Sequence, residues 1–294
     1  MHQLPPLIRL LRPAQWVKNL ILFLPLFFGR EITDCTKLAA TAWAAGAFCL
    51  ISSGIYILND LKDAPQDRQH PLKRYRPIAE GSVSPATAIL LLCLLLAAGT
   101  GILLAHPAAG RPQTLPLLAA AYVVLNLGYT LWLKRYPLLD ITLIAAGFIL
   151  RLLAGGAASD IRISHWLVIM TFLIALFLAL AKRSDDLRNF RQTGRISRPN
   201  AQAYTEEYLQ VTLTFLSALI AVVYILYTLS PEVMLRSNQQ MYYTIPFVLL
   251  GILRYLQIIL VEKQNCNPTD ILLRDRFLQI TVAGWLLTFA LILY

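Results

Sequence analysis

Asn59-Asp60-Leu61-Lys62-Asp63-Ala64-Pro65-Gln66-Asp67 closes a long apolar run, and His70-Pro71-Leu72-Lys73-Arg74-Tyr75-Arg76-Pro77 follows almost at once. The carboxylates at 60, 63 and 67 are spaced i, i+3, i+7, so on a helix they share one face, with Asn59 on its edge four residues before Asp63. Such a face repels itself unless cations sit on it. Hard cations of the magnesium type take oxygen ligands, keep several waters and are usually held by one or two carboxylates plus substrate phosphates. Lys73, Arg74 and Arg76 supply the positive charge that phosphate oxygens need, the arginines in bidentate geometry. The competing reading is a solvated loop of mutually neutralising charges. Helical spacing directly after an apolar run counts against it.

Working outward, the chain has 294 residues, 57% of them apolar and 14% charged, which excludes an ordinary soluble domain. Runs of about 17 to 25 apolar residues can cross a hydrocarbon core. Such runs fall at 14–30, 37–58, 83–105, 115–133, 138–157, 164–182, 207–229, 243–260 and 277–294, predicting an all-α polytopic membrane protein of nine helices. The first run is marginal because Lys18 and Asn19 lie inside it. Gly29-Arg30-Glu31 after it is no small-residue cleavage site, so a cleavable signal peptide is not expected. Cys35, Cys49, Cys93 and Cys266 form no pair at metal or redox spacing and read as small core residues.

Orientation follows from Lys and Arg in alternate loops. With the N-terminus inside, 19 cations fall on the cytoplasmic side and 5 on the other, while Arg151 and Arg254 stay within helices. The connections 59–82, 183–206 and 261–276 are therefore expected in the cytoplasm and Tyr294 on the opposite face. That excess is the normal topogenic signal, so the net charge of +10 does not argue for nucleic acid, and none is expected as a partner. No linker or low-complexity tract interrupts the helices, and one domain over 1–294 is the economical reading.

Charges inside membrane helices cost on the order of 2.5–3.5 kcal/mol and normally face a cavity or a partner. Asp140 and Arg151 lie eleven residues apart, about three turns on one face. Either they line a polar cavity open to the cytoplasm or neighbouring helices neutralise them. Gly155-Gly156 beyond them permits close helix contact. Lys182-Arg183-Ser184-Asp185-Asp186 ends the sixth run with cations first, and half of that signal is expected from the helix dipole and topology alone. Thr205, in Tyr204-Thr205-Glu206-Glu207, is a candidate N-cap. Leu273-Arg274-Asp275-Arg276 reads either as a surface ion-pair network or as a phosphate clamp.

Together these residues resemble the UbiA superfamily of intramembrane prenyltransferases, whose nine-helix fold carries N-D-x-x-D-x-x-x-D at the end of helix two, matched here by Asn59, Asp60, Asp63 and Asp67. Within it the chain is similar to the polyprenyl-phosphate phosphoribosyltransferase branch. The likeness runs through Arg12-Pro13-Ala14-Gln15-Trp16-Val17-Lys18-Asn19, the first motif to Gly81, Leu139-Asp140-Ile141, Gly147 to Arg151, Lys182-Arg183, Tyr204-Thr205 and Leu273-Arg274-Asp275-Arg276. Two departures stand out. Members that use prenyl diphosphates carry a second D-x-x-x-D after helix six, where this chain has Asp185 followed four residues later by Asn189. Pro65 also interrupts the first motif; it cannot donate to Leu61 and disfavours helix at Ala64, which loosens Asp67 from the face of Asp60 and Asp63.

The resemblance implies a UbiA-like domain around a central cavity open to the cytoplasm, in the inner membrane of a bacterium. It implies a magnesium-dependent pentosyltransferase that moves 5-phosphoribose from phosphoribosyl pyrophosphate to a long polyprenyl phosphate of decaprenyl type. Metal ligands would be Asp60, Asp63 and Asp67; catalytic groups Asp60, Asp63, Lys73, Arg76 and Lys182. Substrate would be bound by Asn59, Lys18, Arg74, Lys134, Asp140, Arg151, Arg183, Tyr204 and Arg274. No strong general base is expected among His2, His70, His106 and His165, and His70 is read as a loop-structuring residue. Two other functions stay open: prenyl transfer from a diphosphate to an aromatic acceptor, and a membrane transporter or scaffold without catalysis. Lipid chain length and oligomeric state, homo-oligomer included, are not legible.

Overall fold

A computed structural model describes residues 5–69, 73–106, 113–193, 203–236, 240–262, 271–272 and 274–294. Its α-helices are Pro6–Leu11 (α1), Leu24–Phe28 (α2), Cys35–Asp67 (α3), Pro77–Glu80 (α4), Pro85–Leu104 (α5), Thr114–Leu131 (α6), Leu139–Ser159 (α7), His165–Thr193 (α8), Glu206–Thr228 (α9), Pro231–Arg236 (α10), Ile245–Leu260 (α11) and Arg276–Leu293 (α12). Side chains close several N-termini: Asp34 accepts from the Thr36 and Lys37 amides, Ser84 from Thr87, Thr205 from Tyr208 and Asp275 from Leu278. The expected cap at Thr205 is thus present.

Eight helices among the described residues are long and apolar enough to cross a membrane, one fewer than the sequence predicts. The missing one is the marginal first run. Pro13–Phe23 is a 3-10 helix and α2 follows it directly. Asn19 inside it is buried, and Pro13 and Pro25 withhold backbone donors, so a regular α-helix is not favoured. At about 2.0 Å rise per 3-10 residue and 1.5 Å per α residue, this stretch still spans about 30 Å, roughly a hydrocarbon core. Its ends agree with that length: Arg12 before it reaches Asp60 near the end of α3, and Glu31 after it pairs with Lys37 in the first turn of α3.

Two further expectations are corrected. Pro65 does not break α3, which continues to Asp67; the proline lies in the last turn, where one lost hydrogen bond costs little, and the Arg68 amide closes the end on the Ala64 carbonyl at 3.1 Å. The sixth run does not stop at 182: α8 continues to Thr193, carrying the Lys182–Asp186 segment on helix instead of loop.

The chain forms two compact units, Met1–Arg135 with Ala146–Ile163, and Tyr136–Ala145 with Ser164–Tyr294. In the first, Leu22, Ala44, Phe48, Ile51, Leu115, Tyr122 and Ala154 form a buried core. Small residues set its spacing: a Cβ on Gly99 would stand 2.7 Å from Ile51 Cγ1 and 3.1 Å from the Ala47 carbonyl, so α5 approaches α3 as only glycine allows. In the second, Phe177, Leu180, Leu213, Ile220, Tyr255 and Ile258 pack together. Large apolar side chains such as Leu90, Leu117 and Val124 in the first unit, and Val211, Leu253, Ile280 and Leu291 in the second, are exposed. Lipid, not water, is the solvent that accommodates them.

Candidate functional site

The end of α3 fixes the motif residues on a rigid rod. Seven residues is nearly two full turns, which stacks Asp67 over Asp60, whereas a three-residue step leaves Asp63 about 60° to the side. Asp60 and Asp67 are both buried. Arg76 joins them: its Nη1 donates to Asp60 Oδ1 at 3.0 Å and to Asp67 Oδ2 at 2.6 Å. Arg12 donates to the same Asp60 Oδ1. Asp63, on the neighbouring line of the helix, takes Lys134 Nζ at 2.6 Å, and Asn59 Oδ1 lies 3.5 Å from the same nitrogen. The motif acids Asp60, Asp63 and Asp67 and the cations Arg76 and Lys134 are therefore gathered within one unit, with Asp67 as firmly placed as Asp60, whereas Asp140, Lys182, Arg183 and Arg274 belong to the second.

The cations come from short connecting segments. Arg76 follows the 3-10 turn Lys73–Tyr75 and precedes α4 in extended conformation. Lys134 belongs to the turn Leu133–Arg135 after α6. Arg12 ends α1 in the left-handed region, φ 52° and ψ 57°, immediately before Pro13. That is a strained conformation for a side-chain-bearing residue before proline, and it persists where surrounding contacts over-determine it. The guanidinium sits on Asp60 and 5.4 Å from the centre of the Tyr56 ring, which Lys18 also faces at 5.9 Å. Sequence reasoning left Arg12 out of the site, although it opens a stretch that carries the family likeness and is a cation directly before a proline at the mouth of an apolar run. Lys73 lies in the turn, and Arg74 stacks on its neighbour Tyr75 with Nη2 on the phenol oxygen at 2.5 Å.

Among the described residues no three His, Cys, Asp or Glu side chains converge as a metal cage. The donor set nevertheless suits a magnesium-type ion. Two buried carboxylates nearly two turns apart point their oxygens at one guanidinium nitrogen, a position already selected for positive charge. Phosphate oxygens and water would have to complete the shell, as is usual for this metal.

Arg151 and Asp140 have separate partners. In the first unit Arg151 is buried, donating from Nε to Asn19 Oδ1 at 2.8 Å, from Nη1 to the Gly147 carbonyl at 3.3 Å and from Nη2 to Tyr122 OH at 2.5 Å, over the Tyr122 ring. It clamps the 3-10 stretch to α7. Gly155, one turn on, meets the Leu22 carbonyl so closely that a Cβ would overlap it.

In the second unit Arg183 is 2% exposed and paired with Asp140, which is 1% exposed: Nε and Nη2 lie 2.8 and 2.7 Å from Asp140 Oδ2, and Nη1 donates to Asp186 Oδ2 at 2.9 Å. Tyr204 donates to Asp140 Oδ1 at 3.2 Å and accepts the Leu138 amide at 3.0 Å. Burial pushes its phenol up to about 12, so it stays a donor at any physiological pH. Lys182 is exposed beside this cluster in sequence, and Arg274 is exposed ahead of α12. Asp275 pairs with Arg254, Nη2 to Oδ2 at 2.6 Å, and Arg254 also holds Glu262. That hydrogen bond keeps the Asp275 carboxyl below its usual range. His106 bonds the Ala40 carbonyl at 2.9 Å, while His70 and Leu273 lie outside the described residues.

A profile of the UbiA prenyltransferase family matches residues 23–292. A decaprenyl-phosphate phosphoribosyltransferase from Mycolicibacterium smegmatis is 34% identical over 303 residues, covering 98% of this chain and 92% of that protein. Its counterpart of the same name from Corynebacterium glutamicum is 32% identical, covering 98% and 86%. Among solved structures, a UbiA homolog from Archaeoglobus fulgidus bound to GPP and Mg2+ superposes with a TM-score of 0.73 at 19% identity, covering 98% of this chain and 99% of that one.

Proposed function

Because the chain belongs to the UbiA prenyltransferase family, we propose from its nearest chemistry that it transfers 5-phosphoribose from phosphoribosyl pyrophosphate to a polyprenyl phosphate of decaprenyl type, releasing pyrophosphate. The observation that carries this reading is the likeness, along 98% of the chain, to relatives named for that reaction. The gathered acids and bases at the end of α3 support it, since a diphosphate-bearing donor needs both a cation held by carboxylates and fixed positive charge of its own.

Asp60 and Asp67, with Asp63 beside them, would hold magnesium, which when bound neutralises charge on the pyrophosphate. Arg12, Arg76 and Lys134 bind phosphate oxygens of the donor, with Lys73, Arg74 and Lys18 nearby in the same unit. Lys182 and Arg274, both exposed in the second unit, are assigned to bind phosphate. Arg183 instead orders the segment that presents Lys182, through Asp140 and Asp186. The acceptor's phosphate monoester is already nucleophilic. Its oxygen forms the new bond to the anomeric carbon as the carbon–oxygen bond to pyrophosphate breaks, with inversion, and no protein base is required. The loops that carry these groups hold most of the Lys and Arg, which supports a site facing the cytoplasm from a bacterial inner membrane.

Purified protein with magnesium, labelled phosphoribosyl pyrophosphate and decaprenyl phosphate should yield polyprenyl-phosphoryl-phosphoribose by mass spectrometry. Asp60→Asn and Asp63→Asn should each lower turnover by about 10²-fold, the scale of losing one well-placed electrostatic group. Consumption of a polyprenyl diphosphate with an aromatic acceptor, and none of phosphoribosyl pyrophosphate, would reject the assignment.

A further inference from the structure

The three motif acids stand on one helix, whereas the cations that neutralise them stand on other elements: Arg12 between α1 and the 3-10 stretch, Arg76 at the head of α4 and Lys134 in the turn Leu133–Arg135. Their depths differ as well. The Asp60 and Asp67 side chains are 2% and 5% exposed, whereas Arg12 and Arg76 are 23% and 24% exposed. Asp60 and Asp67 lie beneath and Arg12 and Arg76 cover them, whereas Lys134 and Asp63 are about equally exposed, at 17% and 21%. Both guanidinium groups use the same oxygen, Asp60 Oδ1, and Arg76 also takes Asp67 Oδ2. A divalent cation held by these carboxylates competes with those guanidinium groups for the same atoms.

We propose that the site works by exchange of counter-ions: Arg12 and Arg76, with Lys134 alongside, cede Asp60, Asp67 and Asp63 to the metal and take the donor's phosphate oxygens in return. The proposal rests on the diphosphate-donor reading above and adds how metal and donor assist each other. A metal without diphosphate must displace cations that then have no acceptor, so it binds weakly. Diphosphate without metal meets cations already committed to carboxylates. Bound together, every charge regains a partner, because guanidinium groups suit phosphate as well as carboxylate. Coupling of this kind is reciprocal: each ligand tightens the other by the same factor.

Mn2+ binding to the purified protein in nanodiscs, followed by electron paramagnetic resonance with and without inorganic pyrophosphate, tests the exchange without turnover. Pyrophosphate should tighten Mn2+ at least tenfold in the unmodified protein. Arg76→Gln should tighten Mn2+ alone several-fold and shrink the pyrophosphate effect below threefold, because the competing charge is gone. Arg12→Gln removes the other guanidinium from the same oxygen and gives an independent reading should Arg76→Gln fail to fold. If both variants bind Mn2+ alone no better than the unmodified protein, the arginines position the carboxylates for metal instead of competing with it, and the proposal falls. Pyrophosphate is common to ribosyl and prenyl donors. A protein that passes this test yet ignores phosphoribosyl pyrophosphate would overturn the donor assignment and leave the exchange standing.

Discussion

At the scale of single residues, Arg183 separates support from chemistry. Its guanidinium is enclosed by Asp140 and Asp186 and is almost inaccessible, an arrangement that orders α8 against the start of α7. Removing one partner of a buried ion pair strands the other charge and costs about 3–5 kcal/mol, whereas removing both can be nearly neutral. Arg183→Met should therefore lower the thermal midpoint in detergent strongly, and Arg183→Met with Asp140→Leu should recover much of the loss. A single variant that melts normally but loses donor affinity would show the side chain to be a phosphate ligand.

Among the elements, the 3-10 stretch Pro13–Phe23 is irregular yet anchored at two buried residues, Asn19 and Leu22. Arg151 holds it through Asn19, and Gly155 lets the Leu22 carbonyl rest directly on α7. A methyl at 155 has nowhere to go, since its neighbour is backbone. Gly155→Ala should cost about 3 kcal/mol, the upper end for overpacking, and should loosen Arg12 at the stretch's head so that activity falls as well. Gly101→Ala on α5, where a Cβ meets nothing within 4 Å, is the matched control and should be neutral or slightly stabilising. Thermal unfolding of the two variants in one detergent decides the comparison.

For the whole molecule, orientation rests on charge. Residues between α3 and α5 and the C-terminal end of α8 carry dense Lys and Arg, so Ser82→Cys should resist impermeant thiol reagents applied to intact cells. A cysteine at Tyr294, at the far end of α12, should react. The expected parity requires the 3-10 stretch with α2 to cross as a ninth segment, which their length of about 30 Å allows, beside the eight helices among the described residues that are long and apolar enough to span.

Apolar runs and the acids of the first motif could be read from the chain alone, because hydropathy and i, i+3, i+7 spacing are local properties. Even the likeness to a family lay in short motifs such as Asn59-Asp60-Leu61-Lys62-Asp63. Pairing was not local. That Arg12 reaches across 48 residues to Asp60, that Lys134 takes Asp63, and that Arg183 is spent on Asp140 depend on which segments pack together. Lys182 and Arg183 look equivalent in sequence, yet one is exposed and the other sealed, since adjacent helix positions point about 100° apart and packing covers only one of those directions. The sequence determined which charges exist and which apolar runs they flank; the tertiary structure decided which of them neutralise each other, because in a low-dielectric interior a charge goes to the nearest partner the packing offers.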